Sequence, residues 1–571
     1  MALNGHHPAD ATVLARILRS AESAPDAIAW RQVEADGSDR AFTRRELVER
    51  AAGFASSLDA ADVHPASVVP IIMPHDENLA AAWLGTLMHG AIPTILAEPS
   101  VRMQPDDYRE MLRQLLSHLV PAAVIVDGER SRSVAKDVLA GAMTQTIDAT
   151  LVPRTGTIKT PAGGSTSDHT VALQHSSGTT GRHKGVLMTN AQVLGQIEAY
   201  ATALRLQSGA DKVVSWLPLY HDMGFIAAFV MPLVYGMESV QMSPFTWITR
   251  PWMLFSAITK TRATLTWQPN FAFHYLASRV PDQQLVGVDL SSLRQVINCS
   301  EPCTPAAFGR FADRFAPYGL SRRALGVSYA SAETIFAVTE GGVRRPLVWR
   351  SVDPQSRHKL RLVDSTADDA LNVVGCGTTI AGAHVSIRDS QMEPLPTDQI
   401  GEVWVSAPYL TQGYFRRPDL DEKAFRNGWY RTGDLGCLSA DGELFITGRS
   451  NDLIIVGGVN ITPEDIEELL SSYPGVIPGR VVAIGVWDAN LDSQRLVVLL
   501  ESSEKDDEGR SRLGMAVRRV VAAWSEVPAS DVRIYPRGVL RKSTSGKLSR
   551  SANLLLYEKG LTGDMYPTPK K

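Results

Sequence analysis

The apolar and polar positions of the first hundred residues alternate between amphipathic segments and short apolar runs. Thr43 and Glu46 have the spacing of a capping box, which marks the start of a helix. Amphipathic periods near 3.6 residues predict helices, and short continuous apolar runs predict buried strands. The predicted elements are a helix over 43–58, a strand over 68–73, a helix over 78–89 and a strand over 91–96. This alternation predicts a parallel sheet covered by helices.

The last part of the chain has a pattern of shorter elements. Thr462 followed by Pro463 predicts a helix start, with Thr as the N-cap and Pro in the first turn. Residues 512–524 have the pattern of an amphipathic helix. Apolar runs predict strands over 453–456, 481–486 and 496–500. Together these segments predict a small α+β unit.

A loop rich in glycine and hydroxyl residues separates two short apolar runs in the middle of the chain. Residues 175–185 read His-Ser-Ser-Gly-Thr-Thr-Gly-Arg-His-Lys-Gly. Backbone N–H groups and hydroxyls of such a loop can surround phosphate oxygens, and Lys184 adds a compact positive charge. The alternative is a plain flexible linker. The spacing does not fit a Walker loop, because no Gly-x-x-x-x-Gly-Lys-Ser/Thr run can be drawn.

Composition limits the classes of function. The chain has 571 residues, 44% of them hydrophobic, and a net charge of −4, which is typical of a multi-domain globular protein and gives no footprint of a nucleic-acid partner. The four cysteines form no Cys-x-x-Cys pair, which favours a reducing cytoplasm. The longest apolar run, 225–237, contains Pro232 and is too short to span a bilayer. We therefore expect no membrane insertion.

Residues 176–185 resemble the signature of the adenylate-forming superfamily, although His183 stands where that signature usually has Pro. Further motifs of the superfamily follow in order. They are Leu-Pro-Leu-Tyr-His-Asp-Met-Gly at 217–224, Gln-Pro-Asn-Phe at 268–271, Asn-Cys-Ser-Glu-Pro at 298–302, Tyr-Ala-Ser-Ala-Glu-Thr at 329–334, Tyr-Arg-Thr-Gly-Asp at 430–434, Gly-Arg at 448–449 and Ser-Gly-Lys at 545–547. The form of the 217–224 motif is closest to that of fatty acyl-AMP ligases.

The resemblance implies an α/β fold in two parts. Residues 1–449 would form a large adenylating domain of parallel and mixed sheets with flanking helices. Residues 450–571 would form a small mobile α+β lid that carries the catalytic lysine. Position 451, the hinge, is usually Asp or Lys in the superfamily but is Asn here.

The resemblance also implies roles for individual residues. Catalytic roles fall on Lys547, His221 and Arg449. ATP would be bound by Ser176, Ser177, Gly178, Thr179, Thr180, Gly181, Lys184, Ser300, Glu301, Pro302, Tyr329, Ala330, Ser331, Thr334, Asp434 and Arg449. Mg²⁺ would be held by Glu333 and Thr179, because oxygen ligands suit a hard cation that bridges phosphates. The acid would lie near His221, Asp222, Phe225, Trp267, Asn270, Phe273 and Cys299, although single aromatic residues in this set could equally be core residues.

The implied reaction joins a carboxylic acid, expected to be a fatty acid, to AMP and releases pyrophosphate. The expected acceptor is the phosphopantetheine arm of an acyl carrier protein, because residues 335–374 resemble an extra segment of fatty acyl-AMP ligases. Residues 457–460, Gly-Gly-Val-Asn, are instead closer to ligases that use CoA. The alternatives are therefore an acyl-CoA synthetase, an amino-acid or aryl-acid ligase, and an inactive member that acts as a binding protein.

Overall fold

The structure is a computed structural model. It describes residues 11–99, 105–141, 143–158, 166–176, 184–300, 303, 305–352, 362–363, 372–456, 459–471, 473–488, 493–504, 506–525, 527–542 and 548–561.

The first elements of the chain contain a parallel α/β layer, as predicted. They are α1 (Val13–Ser23), β1 (Ile28–Val33), β2 (Asp39–Thr43), α2 (Arg44–Ala60), β3 (Val68–Ile72), α3 (Glu77–His89), β4 (Ile92–Ile95), α4 (Pro105–Leu119), β5 (Ala123–Val126), α5 (Glu129–Val138) and β6 (Gln145–Asp148). The Thr43 and Glu46 capping box at the start of α2 is confirmed. Strands β4, β3, β5 and β6 lie side by side in that order, and every pair is parallel.

The next elements supply most of a large central sheet. They are β7 (Thr170–Ser176), β8 (Lys184–Thr189), α6 (Asn190–Ala203), β9 (Val213–Ser215), α7 (Met231–Tyr235), β10 (Ser239–Met242), α8 (Pro244–Thr249), α9 (Met253–Thr261), β11 (Leu265–Gln268), α10 (Asn270–Arg279), β12 (Gln295–Asn298), α11 (Pro305–Phe315), β13 (Leu325–Ala330) and β14 (Ala337–Glu340). A π-helix, Met223–Val230, precedes α7.

A block of short strands follows, and a third set of elements closes the chain. The block contains β15 (Trp349–Val352), β16 (Leu362–Val363), β17 (Asn372–Val374), β18 (Thr378–Thr379), β19 (His384–Arg388), β20 (Gly401–Ser406), α12 (Pro418–Ala424), β21 (Phe425–Arg426), β22 (Trp429–Leu438) and β23 (Leu444–Arg449). The third set contains β24 (Ile454–Val456), β25 (Val459–Ile461), α13 (Pro463–Ser471), β26 (Val476–Asp488), β27 (Ser493–Ser502), α14 (Asp507–Ser525), β28 (Asp531–Tyr535) and α15 (Arg550–Leu561).

The central sheet has nine strands in the order β18-β14-β13-β12-β11-β9-β10-β1-β2. Its middle pairs, from β13 to β1, are parallel, and the pairs at both edges are antiparallel. The carboxyl ends of the parallel strands therefore meet along one edge, where open α/β sheets bind ligands. The predicted α/β class with mixed sheets and a C-terminal α+β unit is confirmed.

The strand before the His221 motif, β9, has only three residues. It ends at Ser215, because the Ser215 hydroxyl accepts from the N–H of Leu217 at 3.0 Å and turns the backbone out of the sheet. No helix of the described residues is long and apolar enough to cross a membrane. The buried apolar residues from Ile454 onward form two clusters separate from the main core. The domain boundary at residue 449 stays a prediction.

Candidate active site

The glycine-rich loop connects the two strands of a hairpin. Strands β7 and β8 pair antiparallel, with His175 opposite Gly185. Ser177, Gly178, Thr179, Thr180 and Gly181 lie outside the described residues, as does the side chain of Ser176. Lys184 begins β8 and is partly buried. Its Nζ lies 5.1 Å from the centre of the Tyr414 ring, within cation–π range.

Tyr414 joins the phosphate-loop strand to the predicted metal ligand. Its hydroxyl donates to Oε1 of Glu333 at 2.7 Å, and both side chains are buried. Burial raises the pKa of Tyr414, and the Glu333 carboxylate raises it further. The N–H of Phe415 donates to the Gly185 carbonyl at 2.7 Å, which fixes this segment on β8. Lys184 and Glu333 are therefore brought together by one tyrosine.

The turn that carries Glu333 is strained. Ile335 has φ +67°, a conformation that is rare for a β-branched residue and is typically found at constrained functional sites. The Thr334 hydroxyl donates to the carbonyls of Ser331 and Phe336 at 3.0 and 2.8 Å. Thr334 is fully buried and its side chain holds the turn, and its predicted contact with ATP stays a prediction.

A second group of contacts surrounds Asp434. Its Oδ2 accepts from the Tyr329 hydroxyl at 2.5 Å, and its Oδ1 lies 2.9 Å from Nε of Arg449. The two strands β22 and β23 set this geometry, because Asp434 and Arg449 are directly opposite. Burial raises the pKa of Tyr329, and the charge of Asp434 adds to the rise. The same carboxylate raises the pKa of Arg449, which keeps the guanidinium charged.

The turn after β12 also has an unusual backbone. Ser300 has φ +73°, and its hydroxyl lies 3.7 Å from Sγ of Cys299 and 4.0 Å from Sδ of Met223. Met223 begins the π-helix that follows the His221 motif, so the predicted adenine turn and the predicted carboxylate motif are neighbours. Glu301 and Pro302 lie outside the described residues. Ala330 ends β13 at the same edge of the sheet.

The His221 motif is attached to the phosphate-loop hairpin. Nε2 of Gln174, on β7, donates to the Tyr220 carbonyl at 2.5 Å. The ring of His221 packs on that of Tyr220 with centroids 4.8 Å apart. Asp222 accepts from the N–H of Met223 at 2.8 Å and thereby caps the π-helix, a structural contact that sequence reasoning did not foresee.

Two predicted substrate residues lie in the core. The Phe273 ring is fully buried and packs on Phe308 and Phe311, with centroids 5.0 and 4.8 Å away. The Phe225 ring packs edge-on against Trp83 of α3, at 5.6 Å. Both rings therefore pack on other rings of the core, and their predicted contact with the acid stays a prediction.

The remaining predicted substrate residues make polar contacts at or below the strand ends. Asn270 accepts from Nδ2 of Asn298 at 2.9 Å, which ties the start of α10 to the end of β12. Nε1 of Trp267 donates to the Tyr200 hydroxyl at 2.8 Å. Cys299 and Trp267 are fully buried. Tyr200, on α6, was missed because a single tyrosine on an amphipathic helix has no sequence signal.

Lys547 lies outside the described residues, but Arg550, three residues later, is held by ion pairs. Arg550 begins α15 and contacts Asp452, Glu464 and Glu467 at 2.6, 2.8 and 2.7 Å. Asp452 belongs to the short 3₁₀ turn that follows Arg449. Arg550 therefore links the segment after the predicted lysine to the predicted hinge, a connection that the sequence did not reveal.

Relatives of known name match nearly the whole chain. A 4-hydroxyphenylalkanoate adenylyltransferase of Mycobacterium tuberculosis is 30% identical over 95% of this chain and 91% of its own length. A long-chain-fatty-acid–AMP ligase, FadD26, of Mycobacterium marinum is 29% identical over 96% of this chain and 97% of its own. A putative fatty-acid–CoA ligase, fadD25, of Mycobacterium tuberculosis is 29% identical over 91% and 92%.

Solved structures share the fold over the same extent. A structure from studies of fatty acyl-adenylate ligases of E. coli and L. pneumophila has a TM-score of 0.87 at 23% identity, covering 97% of this chain and 98% of its own. A structure of McyG A-PCP complexed with phenylalanyl-adenylate has a TM-score of 0.83 at 20% identity, covering 97% and 84%. The model of the AMP-binding enzyme family matches residues 17–415, so the chain belongs to this family of adenylate-forming enzymes, which activate a carboxylic acid with ATP.

Proposed function

We propose that this chain joins a fatty or related carboxylic acid to AMP and passes the acyl group to the phosphopantetheine arm of a carrier protein. The observation that carries the proposal is the bonding of Asp434 to both Tyr329 and Arg449. A carboxylate held in this way can accept the ribose hydroxyls, with the tyrosine placed for adenine and the arginine for phosphate. The names of the fatty-acid–AMP ligase and adenylyltransferase relatives support this reading.

The first step needs positioning and charge neutralisation. A carboxylate oxygen of the acid attacks the α-phosphorus of ATP, a new O–P bond forms, and the bond from that phosphorus to pyrophosphate breaks. Lys184, beside the glycine-rich loop, and Arg449 supply positive charge on two sides of the nucleotide, and we assign a third charge to Lys547. Fixed charges of this kind act most strongly on a transition state that gains negative charge.

We assign Mg²⁺ to Glu333 and Thr179. The Tyr414 hydroxyl donates to Oε1 of Glu333. We therefore assign the ion to Oε2, since carboxylate oxygens suit a hard cation. When bound, the ion would neutralise charge on the phosphates. The tyrosine keeps the carboxylate in one orientation for it.

We also propose the two-part organisation, with residues 1–449 as the adenylating domain and 450–571 as the lid. The separate clusters of buried apolar residues after Asp452 support this division. We place the reaction in the cytoplasm. All four cysteines are among the described residues and none forms a disulfide, which is in keeping with that compartment.

The proposed acceptor is a carrier protein, for which the segment around β15 to β17 is the supporting feature. These strands form a small sheet, and Val373 packs with three residues that follow it in the chain, Ile400 just before β20, Cys437 of β22 and Phe445 of β23. Arg350 pairs with Asp398 at 3.0 Å. The segment is thus fixed to the five-stranded sheet that carries Asp434, where it could limit the rotation of a lid.

The experiment compares acceptors. The purified chain is given ATP, Mg²⁺ and a panel of fatty, aryl and amino acids, with pyrophosphate release and acyl-adenylate measured directly. Each adenylated acid is then offered to CoA and to a holo carrier protein. The proposal expects adenylate formation and transfer to the carrier, with little acyl-CoA. Acyl-CoA formation as fast as adenylation would contradict the acceptor assignment, and deletion of 350–370 that creates CoA activity would support it.

A further inference from the structure

The indole of Trp267 lies close beneath the strand ends at which the acid is predicted to bind. Trp267 is fully buried and pairs with Ile297 of β12. The next residue, Gln268, ends β11, and its carbonyl accepts from the N–H of Cys299 at 3.2 Å. Cys299 lies two residues beyond Ile297, which is about 7 Å at 3.3 Å per residue. The level of Trp267 is therefore about 7 Å inside the level of Cys299.

Hydrogen bonds hold this indole in place. Its Nε1 donates to the Tyr200 hydroxyl at 2.8 Å, and that hydroxyl donates to Oε2 of Glu340 at 3.0 Å. All three side chains are buried. The ring of Tyr200 also packs edge-on against Phe336, with centroids 5.3 Å apart. Displacing the indole would break a bond between buried polar groups, which is costly because no water replaces it.

Helix α6 closes the sheet face on which Trp267 lies. Tyr200 is on this helix, and Gln196 precedes it by one turn. Nε2 of Gln196 donates to the Ala337 carbonyl at 2.7 Å, and Ala337 lies opposite Ala330 at the carboxyl end of β13. Gln196 and Tyr200 are both fully buried. Buried side chains therefore fill the space between α6 and the sheet from the level of Ala330 to that of Trp267.

A second indole closes the opposite face of β11. Side chains alternate along a strand, so Gln268 lies on the other face from Trp267. Its Oε1 accepts from Nε1 of Trp216 at 2.7 Å. The Trp216 ring stacks on the buried Trp247 ring, with centroids 3.6 Å apart and planes 2° from parallel. The carboxyl end of β11 is thus enclosed by hydrogen-bonded indoles on both faces.

We propose that Trp267, held by Tyr200, ends the acid site a short distance below the strand ends, so that the preferred substrate is a short-chain carboxylic acid. This inference rests on the proposed function, since it sets the length of the same acid. The acyl chains of one bilayer leaflet span about 15 Å, half of the roughly 30 Å hydrocarbon core. The distance of about 7 Å from Cys299 to Trp267 accommodates about half of such a chain, on the order of eight carbon atoms.

Packing against the indole makes the limit on chain length steep. The protein interior is close-packed, so an extra methylene at the end of a filled site has to push side chains from their positions. One methylene too many in an apolar pocket reduces kcat/KM by about 10-fold or more. A smaller residue at position 267 would remove both the ring and its bond to Tyr200, which would lengthen the site on the α6 face.

The test is a chain-length series. Straight-chain acids from acetic to hexadecanoic acid are assayed for pyrophosphate release, and non-hydrolysable hexanoyl- and hexadecanoyl-adenylate analogues are titrated by calorimetry. We expect the highest kcat/KM at or below octanoic acid, and a value about 10-fold or more lower for hexadecanoic acid. A preference of the wild-type chain for hexadecanoic acid would overturn the proposal.

Variants at position 267 test the role of the indole itself. Trp267→Ala should raise kcat/KM for hexadecanoic acid relative to octanoic acid by about 10-fold or more. Trp404→Ala, which removes an equally buried indole from β20, is the matched control and should keep the wild-type ratio. Thermal melting shows whether each variant folds, and Trp267→Leu takes the place of Trp267→Ala if the latter unfolds. An unchanged ratio in the folded variant would contradict the proposal.

The outcomes separate the length limit from the proposed function. If the folded wild-type chain releases pyrophosphate with no acid and binds neither analogue, the proposed function fails. If it activates acids but prefers the longest, the proposed function stands and the length limit is wrong. A preference for short acids that moves to longer acids in the Trp267 variant supports both.

Discussion

The hydroxyl of Tyr329 donates to Oδ2 of Asp434 at 2.5 Å, across 105 positions of sequence. Tyr329 lies near the carboxyl end of β13, a parallel strand of the central sheet, and Asp434 lies on the antiparallel sheet formed by β20, β22 and β23. Asp434 also pairs with Arg449, so these contacts connect both sheets to the last residue of the predicted large domain. The proposed nucleotide site is therefore assembled from three separate parts of the chain.

Replacing Asp434 tests this assembly. Asp434→Asn keeps the size of the side chain but removes the charge that holds Arg449 and accepts from Tyr329. A hydrogen bond to a charged group contributes about 1.5–3 kcal/mol, so kcat/KM for ATP should fall about 10- to 100-fold. Steady-state pyrophosphate release measures kcat/KM for ATP. Asp441→Asn, at an exposed carboxylate, is the matched control. Wild-type values for Asp434→Asn would remove this residue from the nucleotide site.

Tyr414→Phe should change the dependence on Mg²⁺. The ring that lies beside Lys184 is kept, but the hydrogen bond that orients Glu333 is lost. We expect the concentration of Mg²⁺ at half-maximal rate to rise about 10-fold, with the maximal rate recovered at high Mg²⁺. Tyr409→Phe, which removes a hydroxyl bonded to the Ala381 carbonyl, is the control. An unchanged Mg²⁺ dependence would contradict the role given to Tyr414.

Arg550→Ala should destabilise the C-terminal unit. It leaves Asp452, Glu464 and Glu467 close together without their cation, and about a quarter of the arginine side chain is exposed. Allowing for that exposure, we expect a loss of about 2–3 kcal/mol in the free energy of unfolding. Urea unfolding measures the loss. Arg512→Ala, which breaks only an exposed pair with Glu508, should change stability by less than about 0.5 kcal/mol.

Glu467 should make stability fall as pH rises toward neutrality. Burial raises its pKa to about 7, against the pull of Arg550, and Glu464 adds to the rise. A carboxyl whose pKa is raised on folding binds more protons in the folded state between about pH 4.5 and 7, so the stability it provides is lost across that window. Unfolding of wild type and Glu467→Gln at pH 5 and 8 measures the difference. The variant should show a smaller decrease, and an equal decrease would contradict the assignment.

The sequence predicted those parts of the fold that depend on local patterns. The capping box at Thr43 and the apolar runs of β3 and β4 are determined by residues of the same short segment. Their positions could therefore be predicted from the sequence alone. Tyr414 was not found because it contributes through a contact with Glu333, 81 positions away. Phe273 packs on the Phe308 and Phe311 rings, which the sequence could not show, because an aromatic residue near a site motif has the same pattern whether it faces ligand or other rings.

The role of Arg550 was not predicted either, because its three carboxylate partners come from two other segments of the chain. The roles of Ser300, Ala330 and Lys547 stay predictions.

The central claim, that this chain forms an acyl-adenylate, is tested most directly by exchange of labelled pyrophosphate into ATP. The wild-type chain and Lys547→Ala are compared with the panel of acids, and thermal melting confirms that both are folded. We expect acid-dependent exchange by the wild type and a rate lower by on the order of 100-fold or more in the variant. Absence of acid-dependent exchange by the folded wild type with every acid, or equal exchange by both proteins, would contradict it.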